Sequence, residues 1–249
     1  MPSTDLYLKA LFGAAIPLGD VCMIYPLTIK EIVGMGENKY RQQLNLLTLT
    51  SYDLFEHYKE KGVKVSEDID VYDNLMDSCE NDKYFLLDLE EAFSTFIRER
   101  VRILSDIRVI SVGDNGLEKR IIDKNNFSDF QNILRIQNRI PEEEKVPENE
   151  TPMQRKFRIR RAMVAQAKKK QAEKNSKESV SFHDLISSLC AYNIGINIFN
   201  VGDLSIYAFY ELLERTQEKT KYELDIKSIL AGADPKKVKP KNWIRNLKD

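Results

Sequence analysis

Asn81-Asp82-Lys83-Tyr84-Phe85-Leu86-Leu87-Asp88-Leu89-Glu90-Glu91-Ala92-Phe93-Ser94-Thr95-Phe96-Ile97 runs on through Val101 to Leu104. Phe85, Leu86, Leu89, Phe93, Phe96, Ile97, Val101 and Leu104 fall three and four apart. That spacing lines one face of a helix and predicts a single long helix over 81–104. The pattern then changes. Ile107-Arg108-Val109-Ile110-Ser111-Val112 is β-branched, Gly113-Asp114-Asn115-Gly116 carries an Asn-Gly turn, and Leu117-Glu118-Lys119-Arg120-Ile121-Ile122-Asp123 returns. Asn-Gly supplies the positive φ values of a tight hairpin turn, so 107–122 reads as a β-hairpin. Helical spacing resumes over 126–140 through Phe127, Phe130, Ile133, Leu134 and Ile136.

Upstream, Thr28 and Glu31 stand at capping-box spacing before a helix that Gly34 and Gly36 bend or end. Further helices are expected over 40–49, 51–62 and 70–79. Residues 7–27 are apolar but carry Lys9 and Asp20 and are broken by Gly13, Pro17, Gly19 and Pro26. They read as an irregular arm followed by a short strand or extended segment at 21–25, not as a membrane span, which needs about 20 apolar residues.

Downstream, residues 141–178 form a charged linker. Pro141, Pro147 and Pro152 break it, and Glu142, Glu143, Glu144, Glu148 and Glu150 make its start acidic. From 154 to 177 there are ten Lys or Arg against the single acid Glu173. A second capping box, Ser181 with Asp184, opens a helix, residues 197–201 look short and extended, and Asp203 is placed to cap a long helix over 203–230 ended by Gly232. The expected fold is therefore mainly α: a helical N-terminal domain 1–140 with one β-hairpin, the linker 141–178, and a small helical C-terminal domain 179–249.

The composition agrees. Of 249 residues, 42% are hydrophobic and 31% charged, which excludes wholesale disorder. Thirty-eight Lys and Arg against 39 Asp and Glu give a net charge of −1, which excludes a uniformly basic nucleic-acid binder. Cys22, Cys79 and Cys190 are odd in number, lack metal or redox spacing, and sit among apolar neighbours. They read as buried hydrophobes in a reducing compartment.

Catalytic chemistry is not apparent. The chain has no phosphate loop, dinucleotide fingerprint, zinc helix motif or Gly-flanked serine. His57 and His183 have no partner at useful spacing. The acidic cluster of Glu67, Asp68, Asp70, Asp73 and Asp77 lacks the glycine and terminal Glu of a calcium loop and reads as an acidic first helical turn. No enzyme, metal or cofactor is therefore expected. Arg155, Lys156, Arg158, Arg160 and Arg161 are the candidates for phosphate or acidic-partner contacts. Only Phe157 interleaves them, too little for a base-stacking platform, so nucleic acid is the less favoured partner. Leu204, Ile206, Tyr207, Phe209, Tyr210, Leu212 and Leu213 nearly encircle the 203–230 helix. Such a helix is covered on several sides, by the first domain or by a partner. Aromatic enrichment at interfaces favours a partner, with Leu204, Tyr207, Tyr210, Leu213 and the lone Trp243 as anchors.

Ile24-Tyr25-Pro26-Leu27-Thr28-Ile29-Lys30-Glu31-Ile32, Lys39-Tyr40 and Leu44-Asn45-Leu46-Leu47 resemble the openings of tail proteins in phages of Gram-positive bacteria. Leu189-Cys190-Ala191-Tyr192, Asn197-Ile198-Phe199-Asn200-Val201, Leu204-Ser205-Ile206-Tyr207, Ser228-Ile229-Leu230-Ala231-Gly232-Ala233 and Trp243-Ile244-Arg245-Asn246 resemble their closing block. The chain is thus similar to phage tail assembly chaperones and related tail morphogenesis proteins over about 30 residues at the start and 60 at the end. The resemblance implies a helical, non-enzymatic protein of the host cytoplasm that binds the tape measure protein and recruits tail tube subunits. It also implies short and frameshifted forms, with Lys168-Lys169-Lys170 marking a candidate slippery run. A permanent virion component, a nucleic-acid adaptor using 154–177, and a homo-oligomer are the alternatives it leaves open.

Overall fold

The structure, a computed structural model, describes residues 4–63, 69–113, 120–140, 151, 153–154, 160, 164 and 180–244. Most of the expected linker 141–178 and the Asn115-Gly116 turn lie outside the described residues, as do Glu67 and Asp68 of the acidic cluster.

The fold is mainly helical with two small antiparallel sheets. In chain order the elements are α1 (Thr4–Leu11), β1 (Ile16–Leu18), β2 (Cys22–Ile24), α2 (Ile29–Met35), α3 (Glu37–Leu47), α4 (Ser51–Glu60), α5 (Val71–Asn81), α6 (Lys83–Ile97), β3 (Val101–Leu104), β4 (Val109–Val112), β5 (Ile121–Ile122), α7 (Phe127–Gln137), α8 (Phe182–Tyr192), α9 (Ile206–Leu230) and α10 (Pro235–Val238). Both expected capping boxes form: Thr28 Oγ1 accepts from the Glu31 amide and Ser181 Oγ from the Asp184 amide. The residues expected to form an irregular arm instead make α1 and β1, while the strand expected at 21–25 forms as β2 and pairs with β1, Ile16 opposite Ile24.

The long helix expected over 81–104 stops at Ile97. Arg98 caps it in the left-handed region at φ 60, a conformation no glycine announces. Its guanidinium is held over the Tyr25 ring at 4.9 Å and against Glu31 at 2.6 Å, so the turn is fixed by side chains rather than by backbone freedom. Val101 and Leu104, which continue the helical spacing, are the ends of a strand.

That strand turns the hairpin into a three-stranded sheet of order β3-β4-β5. Val101 faces Val112 and Ile103 faces Ile110, while Ile110 faces Ile122. An open β3 edge would invite pairing with other chains. Here α6 closes it: the Val101 amide donates to Ser94 Oγ at 3.2 Å and the Ile103 amide to Glu90 Oε1 at 2.8 Å. On the other side, the Tyr72 hydroxyl of α5 reaches the carbonyls of Arg108 and Ile122. Arg108 and Lys124 then pair with Asp73, which draws the acidic cluster into ion pairs rather than leaving it to water alone.

The core is centred on α6 and α7. Phe93, Phe96, Leu89, Phe130 and Leu134 are fully buried, and the Phe93 and Phe130 rings lie 4.9 Å apart. This core is continuous with Phe182, Leu189, Val201, Ile206 and Phe209 of the C-terminal segment. Thr28 and Ser205, the N-caps of α2 and α9, pair as an antiparallel bridge, with the Ile29 amide donating to Leu204 O and the Ile206 amide to Leu27 O, both at 2.9 Å. Ser205 Oγ, not Asp203, accepts from the first turn of α9, and Asp203 ends the 3-10 turn before it. Ser205 is preferred because its hydroxyl sits one residue before the helix and reaches the third amide.

Candidate partner-binding loop

The sequence-derived anchors on α9 lie at its packed end. Tyr207 is buried against Ala10 and Ile136, beneath the Arg139 guanidinium at 5.5 Å. Leu204, Tyr210 and Leu213 are half-buried against the main core. Tyr210 sits edge-on to Phe209 at 5.2 Å, and burial pushes its hydroxyl pKa up. Arg139 adds a charged clamp, pairing with Glu211 at 3.3 Å and Glu214 at 2.5 Å. The chain thus covers much of the encircling apolar surface itself. Trp243 is half-buried, and its carbonyl accepts from Arg215 Nη1 at 3.1 Å, so the tail after α10 folds back along α9. Arg160 is exposed, whereas Arg155, Lys156, Arg158 and Arg161 lie outside the described residues. The structure therefore brings Leu204, Tyr207, Tyr210 and Leu213 together at the start of α9 and leaves the basic group undescribed as a set.

Among the described residues no three His, Cys, Asp or Glu side chains are placed to hold a metal, and no helix is long and apolar enough to cross a membrane. His183 is exposed and His57 lies on the exposed side of α4. Cys22 and Cys79 are buried, and that burial pushes their thiols up to about 12 and about 11, far from a reactive thiolate.

The conspicuous surface is the connection between α8 and α9. Tyr192, Ile194, Ile198 and Phe199 are 66, 107, 64 and 93% exposed, four large apolar side chains within eight residues. Three asparagines hold the loop that carries them. Asn193 Nδ2 donates to Leu189 O at 3.0 Å and to Thr216 Oγ1 of α9 at 3.2 Å. Asn197 Oδ1 accepts from the Phe199 amide at 2.9 Å. Asn200 Oδ1 accepts from the Asn197 amide at 2.8 Å, while its Nδ2 donates to Gly195 O at 2.9 Å. Such Asx turns replace the extended segment expected over 197–201. Ile196, half-buried, and Val201, 3% exposed, point into the core and root the loop. The backbone that carries the outward side chains is thereby held by local hydrogen bonds, which removes part of the ordering cost of binding. Residues 185–202 also contain no Asp, Glu, Lys or Arg, the longest such run in a chain with 31% charged residues. Sequence reasoning reads 197–201 as extended and so misses the binding potential of this loop, although the charge-free run and the asparagines at 193, 197 and 200 are there to be read.

No curated protein and no solved structure matches the chain. Residues 168–248 match the family model of the YomV second domain, a phage-associated family, and the asparagine-held apolar loop lies inside that match.

Proposed function

We propose that the protein is a non-enzymatic phage tail assembly chaperone, which works by holding other tail proteins during morphogenesis. The exposed, preorganised loop of Tyr192, Ile194, Ile198 and Phe199 carries this reading. Large apolar side chains exposed together on one short loop are the kind of surface that marks interaction sites. The phage-associated match over the same segment and the sequence resemblance to tail morphogenesis proteins support it. In this reading the tape measure and tail tube proteins are the partners, the host cytoplasm is the setting, and the N-terminal helices are the rigid base that presents the loop. The test is a pull-down from infected cells with the wild-type chain and with the double variant Ile194→Asn, Phe199→Asn. Tape measure and tail tube proteins should accompany the wild type and be lost from the variant. Their absence from the wild-type sample defeats the reading.

A further inference from the structure

We infer that the 192–199 loop pairs with the same loop of a second copy of this chain, forming a two-fold dimer that covers the apolar surface of the free protein. The inference deepens the proposed function by assigning that surface a resting occupant, but the dimer itself does not depend on which tail protein later displaces it.

Three features lead to a second copy. The first is charge. In a two-fold interface each patch faces its own image, so a charged side chain near the axis meets its like. Residues 185–202 carry no charge, so this stretch meets its image without that repulsion. An anionic membrane or a nucleic acid would instead call for Lys or Arg beside the apolar tip, and the run contains neither. The second is area. A large aromatic side chain buries on the order of 150–250 Å² when covered, so Tyr192 and Phe199 supply roughly 300 Å² on each copy, to which Ile194 and Ile198 add their exposed area. With the flanking asparagine and glycine backbone, that approaches the ~800 Å² per partner of a standard interface. The third is rigidity. The Asn193, Asn197 and Asn200 hydrogen bonds fix the tip in both copies, so pairing orders little further chain.

The full-length chain in analytical ultracentrifugation should show a monomer–dimer equilibrium between about 1 and 100 μM. Ile194→Asn and Phe199→Asn should each weaken it about tenfold or more, with melting temperatures unchanged at concentrations where the wild type is monomeric, because both side chains are exposed in the single chain. Phe12→Asn, at an 82% exposed side chain outside the loop, should leave it intact. As an independent readout, Ile198→Cys in a Cys190→Ser chain should form an intermolecular disulfide under oxidation that Cys190→Ser alone does not. A wild-type chain that stays monomeric throughout overturns the inference, as does a dimer that both loop variants preserve. A dimer that forms as described while infected-cell pull-downs yield no tail protein upholds this inference and defeats only the proposed function.

Discussion

Residues 192–199 and 204–213 are separated by one 3-10 turn and are both rich in apolar side chains, yet they meet opposite fates. In the second stretch Ile206, Tyr207, Ala208 and Phe209 are at most 7% exposed. In the first, Ile194 and Phe199 stand almost wholly in solvent. The difference is not hydrophobicity but what the neighbouring backbone does. The bridge between Thr28 and Ser205 ties the start of α9 to the N-terminal helices, so its apolar faces land on α1 and α7. The asparagines of the loop satisfy its own backbone locally, so nothing draws its outward side chains in. Apolar density alone therefore does not locate a binding surface in this protein; the partners of the adjacent amides do.

The comparison breaks most visibly under matched truncations. Phe209→Ala removes a fully buried ring and should cost about 3–5 kcal/mol, which lowers the melting temperature by on the order of 10 °C. Tyr207→Ala should behave likewise at about 3 kcal/mol, because Ala10 and Ile136 lose their cover. Phe199→Ala touches solvent in the single chain instead and, at concentrations where the chain is monomeric, should stay within about 0.5 kcal/mol. Calorimetry on the three variants decides the matter, and equal losses at 199 and 209 would erase the contrast.

A smaller effect sharpens the role of the clamp beside α9. Arg139→Ala strips the partner from Glu214 and one of two partners from Glu211, and uncovers the Tyr207 ring. The expected loss is about 1–3 kcal/mol in urea unfolding. Arg139→Lys should recover only part of it, since an ammonium cannot fork between two carboxylates while stacked on the ring. Full recovery by lysine would reduce the clamp to simple charge.

Asn200→Ala acts on the loop alone. It removes two hydrogen bonds at a cost of about 1 kcal/mol. Amide hydrogen exchange should accelerate at Asn197, whose N–H loses its acceptor, while Phe209 stays protected. Unchanged exchange at Asn197 would show that the loop holds its shape without the side chain.

The smallest effect is acid sensitivity outside both regions. Hydrogen bonding to Lys124 lowers the Asp73 carboxyl, and hydrogen bonding to Arg120 lowers Glu99. A depressed carboxyl stabilises the fold above its unfolded value, about 4, and that contribution fades as pH falls through the lower folded value. Urea midpoints should therefore decline below about pH 4, and Asp73→Asn or Glu99→Gln should flatten the decline. An unaltered slope in both variants would exclude these pairs as its source.

Legibility in the sequence follows the range of the interaction involved. The capping boxes at Thr28 and Ser181 are readable because both partners lie within four residues. The end of α6 is not, because Val101 and Leu104 keep helical spacing and the stop depends on Arg98 finding Tyr25 and Glu31, the latter 67 residues earlier in the chain. The same distance effect hides β3, which is a strand because β4 pairs with it. At the candidate site, the aromatic content of α9 points toward Tyr207 and Tyr210, whose cover by the rest of the chain is a tertiary fact. The loop itself is written in local Asx chemistry, and reading it as an extended segment overlooks the turn propensity of its asparagines.

The hydroxyl of Ser205 donates to the carbonyl of Ala10 across 195 residues. At about 5–20 residues per second, a ribosome needs roughly 10–40 s to make that length of chain. Throughout that interval α1 has been synthesised, and α7 joins it partway, but the α9 side of its cover has not. The N-terminal helices must therefore wait, with the Tyr207 and Ser205 side of Ala10 open, until the codons for α9 have been read, and the order of synthesis sets the moment at which this fold closes.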